Sequence, residues 1–132
     1  MNLALWIVQI LLALAFLAHS GLYLTAPASL FTDMVGIDPL FGRFIGAVEM
    51  LGALGLVVPA VTRIRPGLVP LAAAGLAIIM VGAVGLHLAQ GLPAFALAPG
   101  VLLLLAAFVA YGRWRLVPLA PRGHATAVHA GQ

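Results

Sequence analysis

The chain has 132 residues, 64% of them hydrophobic and 7% charged, far too apolar a balance for a water-soluble domain. Six basic residues, all arginine, against three acidic ones give a net charge of +3, too few and too dispersed to grip nucleic acid. There is no cysteine, which excludes disulfides, thiolate catalysis and cysteine-based metal sites.

Four apolar runs, at about 3–25, 41–59, 68–90 and 95–114, fill most of the chain. Each approaches or exceeds the ~20 helical residues that cross the ~30 Å hydrocarbon core of a bilayer. The expected fold is all-α: an integral membrane four-helix bundle within residues 1–115, multi-pass in the cell membrane. The first run has no basic start and no convincing small-residue cleavage site, so it reads as a retained helix rather than a secretory signal. It should end near Thr25, because Pro27 disfavours helix in the residue before it. Residues 27–40 mix Ala28, Leu30, Phe31, Met34 and Ile37 with Ser29, Thr32 and two aspartates, the pattern of a short interfacial helix or a lid.

Asp38-Pro39 starts the second span and Pro59 is expected to close it. Residues 62–67 form a tight basic turn, and 90–93 a turn short enough to make the last two helices antiparallel neighbours. Pro99 falls in the first turns of the fourth helix, where it can introduce a kink. Residues 116–132 read as a flexible cytoplasmic tail, with His124 and His129 as solvated spacers. Arg63, Arg65, Arg113, Arg115 and Arg122 lie in the second connection or at and beyond the end of the fourth run, whereas Asp33 and Asp38 lie in the first connection. Excess arginine marks the cytoplasmic side, giving an N-in/C-in orientation. Small residues crowd the second and third helices (Gly42, Gly46, Gly52, Ala53, Gly55; Ala72 to Gly75, Gly82, Ala83, Gly85), as expected where helices approach closely in lipid.

The exceptions within the runs are His19, Arg43, Glu49 and His87. An ionisable group at membrane depth is costly and needs a reason. Counted from the outer helix ends at 1.5 Å per residue, all four fall roughly 3–12 Å below the outer boundary. Gln9, Leu12, Phe16, His19 and Tyr23 share one stripe of the first helix. Gly42, Gly46, Glu49, Gly52, Ala53 and Leu56 share a face of the second, and Ala73, Leu76, Met80, Ala83 and His87 a stripe of the third. Convergence of these faces would gather His19, Glu49 and His87 around one cavity. Arg43 lies about 120° around its helix from Glu49, and so is expected to reach the mouth, Asp33 or Asp38, or an anionic head group.

Three readings of this group stand. It can be hydrogen-bonding glue. It can be a proton-handling or polar ligand pocket, since a carboxyl beside an imidazole shares a proton and orients the ring. It can hold a metal or a haem, for which two histidines suffice as axial ligands, although no local ligand spacing is present.

The chain resembles the DoxX-like family of small four-helix bacterial membrane proteins. The resemblance is carried by Ala18-His19-Ser20-Gly21, by Phe44-Ile45-Gly46-Ala47-Val48-Glu49-Met50-Leu51-Gly52-Ala53 with Pro59, and by Met80-Val81-Gly82-Ala83-Val84-Gly85-Leu86-His87. It implies a four-helix bundle and distant kinship with the quinone-reducing membrane subunit of thiosulfate oxidation and with membrane partners of redox enzymes. The absence of cysteine departs from relatives that exchange thiols.

The first functional expectation is a redox-associated membrane protein that binds a quinone-like or other lipophilic molecule. Phe16, Leu76, Met80 and Tyr23 would form walls, His19 and His87 would donate hydrogen bonds, Glu49 would buffer protons and Arg43 would serve the mouth. Hydride or electron chemistry would need a cofactor-bearing partner protein, because no nucleotide motif is present. Rivals are an isomerase or hydrolase using Glu49 and a histidine as acid and base, and a non-catalytic anchor for a partner complex. A homo-oligomer is compatible with all three.

Overall fold

The computed structural model describes residues 1–123, which places His124 and His129 outside the described residues. Four long helices carry the fold: α1 (Asn2–Thr25), α2 (Pro39–Thr62), α3 (Leu68–Ala89) and α4 (Leu97–Tyr111). Among the described residues there is no strand. A 3-10 turn, Pro93–Ala96, leads into α4 and a π-helical turn, Gly112–Leu116, extends it, so the fourth apolar span runs Pro93–Leu116. All four spans are long and apolar enough to cross a membrane. Each helix packs on its sequence neighbours, and α1 closes the ring against α4.

The bundle is apolar inside and out. Leu12, Phe16, Leu56, Val69, Leu76 and Val109 form the core, while Leu51, Ile78 and Leu104 point outward from mid-helix, each about 70% exposed in the isolated chain (69%, 72% and 71%). Acyl chains cover such faces in a bilayer. Cohesion between the helices therefore comes from close packing and internal hydrogen bonds, not from escape from water.

Glycine supplies much of that closeness on α2. A Cβ at Gly46 would lie 2.9 Å from Tyr23 Cβ, one at Gly52 2.6 Å from Leu76 Cδ2, and one at Gly55 2.9 Å from Ala72 Cβ, while Gly42 faces the Phe31 ring. On α3 the expectation holds for alanines such as Ala72 and Ala73, which pack in or against the core, but not for the glycines. Added Cβ atoms at Gly75, Gly82 and Gly85 would meet nothing, so these glycines bring no other helix close.

The end of α2 and the segment after Leu116 differ from expectation, whereas Pro99 falls where it was expected. α2 runs three residues past Pro59: burial of Pro59 and Ala60 in the core holds the last turn against the lost donor and the ring's clash with the preceding turn. The stop is Arg63, in the left-handed region at φ 57, whose N–H donates to the Pro59 carbonyl at 3.0 Å. Pro99 sits in the first turn of α4, where its missing donor has no intrahelical bond to lose. The segment after Leu116 is anchored at first: Leu119 packs against the core, and Arg122 N–H donates to the Arg63 carbonyl at 3.0 Å.

The first connection forms a short π-helix, Leu30–Val35, at the end of the bundle opposite Met1. Its Phe31 is fully buried, and Gln90 Nε2 from the end of α3 donates to the Val35 carbonyl at 2.7 Å. The connection is thereby tied down from α1 across to α3.

Candidate functional site

Helical spacing alone places His19 of α1 and Glu49 of α2 at neighbouring levels, and the structure joins them. His19 Nδ1 and Glu49 Oε2 are 2.6 Å apart, a short hydrogen bond. Glu49 is fully buried, whereas the His19 side chain is 43% exposed. The second carboxylate oxygen, Oε1, is buried with no hydrogen-bond partner in the protein. Tyr23 lies one turn above His19 with its ring centroid 4.2 Å from the imidazole, and meets Phe31 edge-on at 5.2 Å.

These groups border a cavity of about 770 Å³ between the helices. α1 contributes Phe16, His19 and Tyr23; α2 contributes Phe41, Phe44, Ile45, Val48 and Glu49; α3 contributes Ile79, Met80, Ala83, Leu86 and His87. Phe95, Pro99 and Leu102 close the fourth side, and Val35 and Ile37 of the first connection reach down from the end. Almost all of this lining is apolar or aromatic. His87 neither bonds to His19 nor to Glu49: its Nδ1 faces the Ala83 carbonyl at 2.8 Å, and its ring is nearly parallel to Phe95, at 16° and 6.3 Å. Gly82 also lines the space, which accounts for one α3 glycine that touches no helix.

Phe16, Tyr23 and Met80 thus border the cavity as walls, together with His19, Glu49 and His87. Arg43 does not. Its guanidinium donates to the carbonyls of Leu24, at 2.5 Å, and Ala26, at 2.8 Å, and lies 5.9 Å from the centre of the Phe31 ring. A cation here satisfies the last carbonyls of α1 and opposes the negative end of its dipole. The two aspartates are engaged locally: Asp38 caps α2 by accepting from the N–H groups of Leu40 and Phe41, and Asp33 accepts from Thr32. Neither takes up Arg43.

Two features escape a search for ionisable groups in apolar runs. The α4 wall bears no charge, so Phe95, Pro99 and Leu102 gave no signal beyond hydrophobicity. Arg113, counted among the cytoplasmic charges, is 2% exposed. It lies at the end of the bundle where α1 begins, donating to Gln9 and Asn2. The polar tips of Asn2 and Gln9, seven residues apart on the same face of α1, were the available clue. Among the described residues no three His, Asp or Glu side chains are grouped so as to hold a metal ion.

Four membrane-spanning helices around an apolar cavity with a buried carboxylate define a small multi-pass membrane protein. The model of the DoxX-like family matches residues 7–109, most of the bundle, and the chain belongs to that family. Neither the curated proteins nor the solved structures give a match to it.

Proposed function

We propose that the cavity holds a quinone-like or other lipophilic small molecule, and that the protein works beside a redox enzyme in the same membrane. The observation that carries this reading is the cavity itself. At about 770 Å³ it falls within the ~300–1,000 Å³ range of small-molecule sites. Its aromatic walls suit a flat ring, and its few polar groups come from three helices. Electron transfer would be supplied by a cofactor-bearing partner, since this chain has no nucleotide-binding motif of its own.

A second reading is favoured by one contact. The 2.6 Å His19–Glu49 pair with a free carboxylate oxygen is the arrangement of a general acid–base couple. An isomerase or hydrolase acting on a lipophilic substrate would use the same space without any electron donor.

The test is mass spectrometry of the organic extract of the purified protein, with an absorbance spectrum recorded before extraction. A co-purifying lipophilic ring present in wild type and lost in Ala83→Trp, which fills the cavity, is the expected result. Turnover of a lipophilic ester or ketone without electron donor would favour the second reading. Equal extracts from both proteins would overturn the cavity as a ligand site.

A further inference from the structure

Hydrogens on the cavity's polar rim are constrained by what each group already bonds to. His87 Nδ1 lies 2.8 Å from the Ala83 carbonyl oxygen. A carbonyl oxygen only accepts, so Nδ1 carries the hydrogen, and in the neutral ring Nε2 is left as a bare lone pair. Among the described residues Nε2 has no hydrogen-bond partner.

The His19–Glu49 pair leads to the same chemistry by another route. One hydrogen lies between Nδ1 and Oε2 across 2.6 Å. Whichever of the two atoms bears it, Glu49 Oε1 remains an acceptor. Oε1 is buried and has no donor in the protein, an unfavourable state that a donor in the cavity would relieve.

Two unfilled acceptors therefore belong to residues that line the cavity, the buried Oε1 on α2 and Nε2 on α3. The remaining polar atoms are the Tyr23 hydroxyl, which serves either way, and His19 Nε2. That nitrogen donates whichever atom of the neutral pair bears the shared hydrogen, and is bare only when the pair carries a net negative charge. A hydroxyl, which accepts as well as donates, satisfies it, as a carbonyl does. A ring bearing carbonyl groups would set lone pair against lone pair at Glu49 and His87. A ring bearing hydroxyls would supply a hydrogen to each.

We infer that the cavity selects a lipophilic phenol or hydroquinone over the corresponding carbonyl form, with Glu49 Oε1 and His87 Nε2 as the accepting atoms. This rests on the reading of the cavity as a ligand site and reverses the donor role that sequence alone assigns to His87.

Three probes isolate the hydroxyl hydrogens: tetramethylhydroquinone, tetramethylbenzoquinone, and the dimethyl ether of the former, which keeps the carbon frame without an O–H. Binding is measured by anaerobic titration calorimetry on the full chain in lipid nanodiscs. The hydroquinone is expected to bind about tenfold more tightly than the quinone or the ether, the scale of a single hydrogen bond. His87→Phe, which keeps an aromatic ring beside Phe95, should bring the three affinities closer together by weakening the hydroquinone. His87→Gln, whose amide can donate, should strengthen the quinone, so an unfolded Phe variant does not end the test. A wild-type protein that binds quinone or ether as tightly as hydroquinone overturns the inference while the cavity remains a ligand site. Binding of none of the three overturns the ligand-site reading as well.

Discussion

Arg113 Nε donates to Gln9 Oε1 at 3.0 Å, linking the end of the fourth span to the first helix inside the bundle. The same guanidinium donates to Asn2 Oδ1 at 2.7 Å and lies 5.2 Å from the centre of the Trp6 ring. Gln9 is itself fully buried, and its amide donates onward to the Leu56 carbonyl of α2. A cation with neutral partners thus ties three helices together at the end opposite the His19–Glu49 pair. Arg113 Nη2 is buried with no partner, so one donor is already unsatisfied and the loss of another acceptor adds to that cost.

Removing Gln9 should therefore be more damaging than its neutrality suggests. Gln9→Leu keeps the side chain's bulk but leaves Arg113 Nε without its acceptor, with an expected loss of about 1–3 kcal/mol. Arg113→Leu should have a similar effect. The double variant should be less destabilised than the sum of the two, because an apolar pair leaves nothing unsatisfied between those positions. Reversible unfolding in mixed micelles measures all three, and strict additivity would show that the two residues do not act together.

Arg43 offers a comparable test at the other end. Its two hydrogen bonds to the Leu24 and Ala26 carbonyls hold the last turn of α1 against α2. Arg43→Leu should destabilise the bundle by about 1.5–3 kcal/mol, the range for hydrogen bonds to charged groups. Arg43→Lys should recover part of this, since an ammonium cannot reproduce the planar fork. Because Arg43 lies outside the cavity lining, ligand affinity per folded molecule should be unchanged in the lysine variant. A large change in affinity there would place Arg43 at the ligand after all.

What the sequence made readable follows from how strong each constraint is. A bilayer demands apolar runs of a minimum length, so the four spans and the start of α2 at Asp38-Pro39 could be located from residues alone. The meeting of His19 with Glu49 was legible because a buried carboxylate needs a partner and helical spacing put an imidazole within reach. Arg43 was misplaced because a side chain this long can select backbone carbonyls over carboxylates, and no periodicity reports that choice. Arg113 was misplaced because a charge at a span's end looks the same in sequence whether it turns to water or inward. The α4 wall was invisible for a simpler reason: apolar residues facing a cavity and apolar residues facing lipid are the same residues.

The topology we propose keeps both termini and the second connection on the cytoplasmic side. Arg63, Arg65, Arg115 and Arg122 still support it with Arg113 withdrawn into the bundle, and Asp33 and Asp38 remain on the opposite side. Cysteines introduced singly at Ser29 and at Thr62 of this cysteine-free chain should differ in labelling by a membrane-impermeant maleimide applied to intact cells. Ser29 should react and Thr62 should not until the cells are opened. Labelling of Thr62 but not Ser29 would invert the protein.

Glu49 is where stability and ligand binding should come apart. Glu49→Gln preserves shape and can still bond to His19 Nδ1, so its melting temperature should stay within a few degrees of wild type. An amide oxygen accepts more weakly than a carboxylate, roughly half as strongly by the usual comparison of neutral with charged hydrogen bonds. Binding of a hydroxyl-bearing ligand should fall accordingly, by about tenfold. Glu49→Leu removes both oxygens. His19, with its side chain 43% exposed, can turn to another partner, so the loss of stability should stay near the ~1–2 kcal/mol typical of a hydrogen bond between membrane helices. Ligand binding should fall further than in the glutamine variant, because no acceptor is left on α2. Melting temperature and calorimetric affinity measured on the same preparations separate the two effects. If both variants bind as wild type does, the carboxylate is structural glue and the cavity's ligand is held by its walls alone.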